Sequence, residues 1–323
     1  MSSSISSSLP HKTVLIYRDV GANEGSCLAL MEALSIYFRN VTFVSAHHLK
    51  TASWEERTSL LVIGGGRCGI ITAALGDIGQ KKIEAYIKIF GGKLLGVCAG
   101  FYYLPKFSFY HYKDEHYDSK RDYPLIDGYA KGPLTPPDVA GVVQIYTSGG
   151  KSGGCYAQGN PVFCASASTS IISIIGTYEL PDDSPEPNES IAIAVFQSGA
   201  GCVAGSGVHL EFKAPRTRSP FESEEMSCLF DRMTEAENFR ISTLEDLLGE
   251  LFPGALIEPL SAAEYDDADL SPRRFGDRDD SAMVSPAGAS MASSATLSVA
   301  SVSRPSRSSC LDLEGLEDYY TDW

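Results

Sequence analysis

The chain has 323 residues, of which 43% are hydrophobic, enough to bury a sizeable core, and about 250 residues make a comfortable single α/β domain. Its net charge of −15 excludes the basic stripe that nucleic-acid binding needs, and no apolar run approaches the length of a membrane span. Neither nucleic acid nor membrane is therefore expected as a partner. Eight cysteines without C-x-x-C spacing read as free thiols in a reducing compartment, most simply the cytoplasm, several of them as small core residues. The sequons at Asn40 and Asn188 then stay unused.

Residues 1–11 have neither the basic region nor the apolar stretch of a secretory signal and read as a disordered lead-in. Residues 13–17 form a buried strand, 26–38 a helix with Ser26 as its candidate N-cap, 41–45 and 60–63 strands, 80–90 a helix, and 93–97 the next strand. This alternation predicts an α/β fold with a flavodoxin-like, doubly wound parallel sheet, whose sites form at the carboxyl ends of the strands. The 18–25 loop, the glycine loop 64–69 and the segment Gly96-Val97-Cys98-Ala99-Gly100 all fall at that end. Residues 101–131 are crowded with aromatics. Residues 141–146, 170–178 and 190–196 read as added antiparallel strands, the last two joined by a polar turn at 181–187. The small and apolar run 201–208 is a further buried strand, and 222–237 and 239–252 are two amphipathic helices that close a domain spanning 12–258. From 259 to 323 the chain turns to Ser, Ala and charge, with twelve acids against five bases over 261–323, and is expected to be disordered. Its end, 311–323, is either a short protein-docking motif or, on composition, a solvated acidic terminus.

The chemistry concentrates on one cysteine. Small residues around Cys98, between a buried strand and a helix beginning at Ala99, are what a sharp strand-to-helix turn needs to expose a nucleophile. The helix N-terminus behind the sulfur favours thiolate. Five of the six histidines lie near the N-terminus or in polar, turn-like stretches. His209 instead ends an apolar strand, and alternation places Glu211 on its face. Glu211 is thus the candidate for holding the His209 tautomer while the imidazole takes the Cys98 proton. The N–H groups of Gly65, Gly66 and Ala99 are the candidate oxyanion donors. Arg67 is a candidate for orienting a substrate carboxylate. Tyr103, with the other aromatics of 101–131, either walls a pocket or simply packs; packing is favoured. The bland alternatives are a packed cysteine at a turn and a buried histidine bonded to a nearby acid. His111 and His116, with Asp114, Glu115 and Asp118, match no tight ligand pattern, so neither metal nor cofactor is expected. A redox disulfide between Cys68 and Cys98 is a further idea that thiol labelling under peroxide would test.

In this order, the strand 14–17 and the following Gly-containing loop, Leu61-Val62-Ile63-Gly64-Gly65-Gly66-Arg67, Gly91-Gly92-Lys93-Leu94-Leu95-Gly96-Val97-Cys98-Ala99-Gly100-Phe101-Tyr102-Tyr103, Tyr129-Ala130-Lys131-Gly132-Pro133 and Gly207-Val208-His209-Leu210-Glu211 resemble the class I glutamine amidotransferase-like fold. Within it they resemble the N-terminal domain of eukaryotic biotin-protein ligases, which also occurs as a stand-alone protein. The resemblance covers roughly 13–252. Gly64 stands where that family usually has proline, and Leu210 where the wider group does. Nothing here resembles the ligase domain, so biotin ligation is not expected of this chain. The resemblance implies a Cys-His-Glu thiol hydrolase or transferase acting on a small-molecule amide. The alternatives are a non-catalytic regulatory or small-molecule-binding module, and a glutaminase component feeding a partner synthetase.

Overall fold

The computed structural model describes residues 13–179, 190–215, 223–255 and 258–260. The expected lead-in, the polar turn at 181–187 and nearly all of the acidic tail lie outside them. In chain order the elements are β1 (Thr13–Tyr17), α1 (Glu24–Ser35), β2 (Val41–Val44), α2 (Ala46–Thr51), β3 (Thr58–Ile63), α3 (Cys68–Lys88), β4 (Lys93–Val97), α4 (Ala99–Tyr103), β5 (Pro105–Tyr112), β6 (Glu115–Lys120), β7 (Ile126–Gly132), β8 (Gly141–Thr147), β9 (Ser152–Ala157), β10 (Val162–Cys164), β11 (Ile171–Tyr178), β12 (Ile191–Ser198), β13 (Gly201–Ser206) and α5 (Glu224–Leu251).

The sheet runs β2-β1-β3-β4-β13-β12-β10-β7-β5-β6, with β11, β8 and β9 branching from β12. The first five strands are mutually parallel. Beyond β13 the pairing is mostly antiparallel. The parallel half is the expected doubly wound sheet. Its strands are covered on both faces, which is why they are written as continuous apolar runs: Leu60, Leu61, Val62 and Ile63 are all fully buried. One face packs Leu30 and Leu34 of α1 with Leu244, Leu247, Leu248 and Leu251 of α5. The other packs Leu49 of α2 with Ile71, Leu75, Ile83 and Ile87 of α3 and Phe101 of α4.

Several expected boundaries move. Helix α1 starts at Glu24, capped by Asn23, whose side chain accepts from the Ser26 amide at 2.8 Å; asparagine caps as well as serine does, and Ser26 is left inside the first turn. Strand β2 stops at Val44 because Ser45 caps α2. Helix α3 begins at Cys68, twelve residues before the expected start at 80, and is two helices meeting at Gly76 (φ 57°, ψ −175°). That backbone region is essentially restricted to glycine, so Gly76→Ala is expected to cost about 1–2 kcal/mol in urea unfolding although a Cβ there meets open space. The two expected C-terminal helices are one, α5. No Gly or Pro interrupts it near Asn238, and Arg240 grips Glu237 through two bonds of 2.9 and 2.6 Å across that point. The aromatic stretch becomes α4, β5, β6 and β7. Among the described residues no helix is long and apolar enough to cross a membrane.

Candidate active site

Three strand ends and one helix start converge. β4 and β13 are adjacent and in register to their last residues, Val97 opposite Ser206. The Cys98 amide continues the ladder by donating to Ser206 O at 2.8 Å. Immediately afterwards the chain turns sharply: Cys98 has φ 50° and ψ −101°, a conformation that L residues occupy only when their surroundings impose it. The Cys98 carbonyl then accepts from the amides of Phe101 at 2.9 Å and Tyr102 at 3.1 Å to start α4. The flanking glycines are spatial necessities. A Cβ on Gly96 would lie 2.4 Å from Gly100 O, and one on Gly100 would lie 2.0 Å from Ile63 O. The G-x-C-x-G spacing thus records the close approach of β4, α4 and β3. With five residues, α4 is little more than one turn, so its dipole at the sulfur is weaker than a full helix would supply.

His209 lies three residues past the end of β13, not within the strand as expected. Its amide donates to Tyr156 O at 2.9 Å, the bridge that pins residues 207–211 beneath β9. Its side chain is wholly buried, and its Nδ1 hydrogen bonds Glu211 Oε1 at 2.8 Å. Burial opposes charge on the imidazole, but the Glu211 carboxylate and, after it, the Cys98 sulfur outweigh this and push His209 up to about 10. A charged imidazole buried beside a carboxylate is a stable arrangement only while both partners remain.

The sulfur is where the expectation fails. Cys98 is 1% exposed, and its Sγ faces Gln158 O at 3.7 Å. Gln158, itself buried, thus lies against the side chain that the turn was expected to project outward. Tyr156 also sets its ring edge against the His209 imidazole, 5.6 Å between centroids.

The other expected site residues divide. Gly65 donates its N–H to Ser26 Oγ at 2.9 Å, so it has no amide left for an oxyanion, a correction to its expected role. Gly66 takes φ 141° and lies so close to Gly21 that a Cβ would meet its carbonyl at 2.1 Å; Ala99 is buried at the head of α4. Arg67 is exposed, its amide bonded to Gly21 O at 2.8 Å. The buried guanidinium near the elbow is instead that of Arg121, which no sequence motif marks: it donates to Cys68 Sγ at 2.7 Å and Tyr102 O at 3.4 Å and sits 5.0 Å over the Tyr103 ring. Tyr103 is 3% exposed, and burial raises its hydroxyl well above the usual phenol range. Ser26, which the sequence presents only as a cap, is a further site residue. Its hydroxyl donates to Glu211 Oε1 at 2.7 Å.

Among the described residues no group of three or more His, Cys, Asp and Glu is placed to hold a metal ion. His111 and His116 are cross-strand neighbours in the β5–β6 hairpin, where His111 Nε2 pairs with Asp118 at 2.5 Å. Cys68 and Cys98 are both free thiols.

Comparison with known proteins bears on this arrangement. The family model for the biotin-protein ligase N-terminal region matches residues 12–137 and 138–254. The chain is 28% identical over 216 residues to a biotin–protein ligase of Schizosaccharomyces pombe, a match covering 62% of this chain and 33% of that protein. It is 30% identical over 174 residues to an uncharacterized protein of Chlamydia muridarum, covering 49% of this chain and 62% of the other. It thus spans a third of the first relative and less than two thirds of the second. Among solved structures, a glutamine amidotransferase aligns with TM-score 0.43 and 16% identity over 68% of this chain and 96% of its own. A putative GMP synthase protein from Thermoplasma acidophilum aligns with TM-score 0.38 and 11% identity over 74% and 98%. With its family model matched over most of its length, the chain belongs to the biotin-protein ligase N-terminal family.

Proposed function

We propose that this chain is a thiol-dependent amide hydrolase or acyltransferase whose site rests closed. The observation that carries the reading is the strained backbone of Cys98 at the tip of β4, set against an imidazole that Glu211 holds in charge. Strain of this kind persists only where the surroundings over-determine it, and it clusters at reactive positions. In the proposed reaction the charged His209 already holds the proton given up by Cys98, and the sulfur attacks an amide carbonyl. The N–H groups of Gly66 and Ala99 steady the oxyanion, and the protonated imidazole returns its proton to the departing amine, leaving a thioester that water or an acceptor amine resolves. Glu211 stabilises the imidazolium. Because a relative is a biotin–protein ligase, biotinyl amides are the first substrates to screen, and the free thiols suit a reducing compartment such as the cytoplasm. Any substrate must displace the Gln158 backbone from the sulfur.

The 1% exposure of Cys98 favours a second reading, a non-catalytic binding module with a sealed relic of the site. Iodoacetamide labelling of the full chain, followed by mass spectrometry, separates the two. The buried thiols Cys27, Cys155, Cys164 and Cys202 are internal references. The enzyme reading expects Cys98 to label at least about tenfold faster than these at neutral pH, and to lose about tenfold in His209→Gln, since the charged imidazole that favours the reactive thiolate is then gone. It also expects Cys98→Ser to abolish any turnover found in an amide library while the protein stays folded. A Cys98 rate equal to that of the reference thiols assigns the chain to the second reading.

A further inference from the structure

We propose that Ser26 is a positioning residue of this site, locking the Glu211 carboxylate against His209 and the glycine loop against the carboxylate, so that acid and loop are held as one unit. The inference rests on the reading of Cys98, His209 and Glu211 as a working group. Ser26 is wholly buried in the first turn of α1. Its Oγ donates to Glu211 Oε1 at 2.7 Å and accepts from the Gly65 amide at 2.9 Å. A second bond beside it, Asn23 N to Gly65 O at 2.9 Å, fastens the same loop to the same helix start. The loop sits so close on the hydroxyl that a Cβ on Gly64 would lie 2.8 Å from Ser26 Oγ.

Both donors to Glu211, the His209 ring and the Ser26 hydroxyl, meet the single oxygen Oε1. The other oxygen, Oε2, has no hydrogen-bond partner among the described residues, and Glu211 borders a cavity of about 10 Å³ walled chiefly by leucines, among them Leu30, Leu95 and Leu244. A carboxylate held through one oxygen is free to turn about it unless a second donor fixes the direction of approach. Ser26 supplies that second donor from a rigid helix. The closeness of that carboxylate is what holds the proton on His209.

Histidine titration by NMR on the full chain, for wild type, Ser26→Ala, Ser26→Cys and Ser35→Ala, tests this, alongside the pH profile of Cys98 labelling. Ser35 is the control: it is equally a buried α1 serine but bonds Met31 O. A carboxylate left free to turn away from the ring attracts the imidazolium less, and each tenfold loss of that attraction is about one pH unit on His209. Ser26→Ala is therefore expected to lower the His209 midpoint by about that amount, Ser26→Cys, a weaker donor, by less, and Ser35→Ala not at all, even where urea unfolding shows similar losses of stability. An unchanged His209 midpoint in both Ser26 variants would overturn the proposal. If the midpoint moves while Cys98 labelling proves independent of His209, Ser26 does position the pair and the catalytic reading falls instead.

Discussion

Gly100→Ala is expected to lower the unfolding free energy by roughly 3 kcal/mol, the upper end of what overpacking a close-fitted site costs, and to disturb the environment of Cys98 at the same time. The added methyl would stand 2.0 Å from Ile63 O and 2.9 Å from Ile63 C, atoms of a buried residue in a strand that pairs with β1 on one side and β4 on the other. A backbone carbonyl in a sheet cannot swing aside as a side chain would, so relief requires α4 to lift. Lifting α4 breaks the bond from the Gly100 amide to Gly64 O at 3.1 Å and pulls on the turn that fixes Cys98. Gly69→Ala is the matched control, since a Cβ there meets nothing within 4 Å; in the first turn of a helix it should be neutral or stabilising by up to about 1 kcal/mol. Urea unfolding of both variants checks the contrast, and equal stability of Gly100→Ala and wild type would show that the elbow is looser than its contacts imply.

The same spacing explains what the sequence made legible. Leu60 to Ile63, Leu94-Leu95 and Val203-Ala204 are strands buried on both faces, and nothing else of that length places uninterrupted apolar residues between glycine-bearing turns. Gly96 and Gly100 announce the elbow because no other residue fits there. The pairing of His209 with Glu211 was also legible, although through a mistaken route: β13 ends at Ser206, and the two side chains meet across a turn, not along a strand. What stayed hidden depends on distant partners. Ser26 and Glu211 are 185 positions apart, and no local pattern tells a capping serine from one that reaches across the sheet. Gln158, which meets the Cys98 sulfur, directly follows β9, a strand the sequence did not mark and whose place is set by pairing with β8. The first half of α3 opens with Cys68-Gly69 and breaks at Gly76, so its composition reads as loop. Arg121 sits in a short polar stretch between two strands, where an exposed charge is the ordinary expectation.

Replacing Glu211 bears on the site most directly. Glu211→Ala removes the carboxylate from a histidine that is wholly buried, and an imidazolium left without its partner in such surroundings costs about 3–5 kcal/mol unless it gives up its proton. Burial, no longer opposed by Glu211, then drives it neutral. The sign of the pH dependence follows. In the wild type His209 is raised from 6.5 to about 10, so folding favours the protonated form. The stability gained is fully present below pH of about 6.5 and is lost progressively as pH climbs through about 10. The conservative variant Glu211→Gln, which keeps the volume and discards the charge, should show the same loss near pH 6. Urea midpoints for wild type and Glu211→Gln at pH 6, 8 and 10 should therefore differ most at pH 6 and converge toward pH 10. The groups that burial raises, such as Tyr17, Cys27 and Cys155, stay protonated across this range and are common to both proteins. A gap that stays constant across the range would mean that the carboxylate contributes packing alone, and that Glu211 does not hold His209 charged.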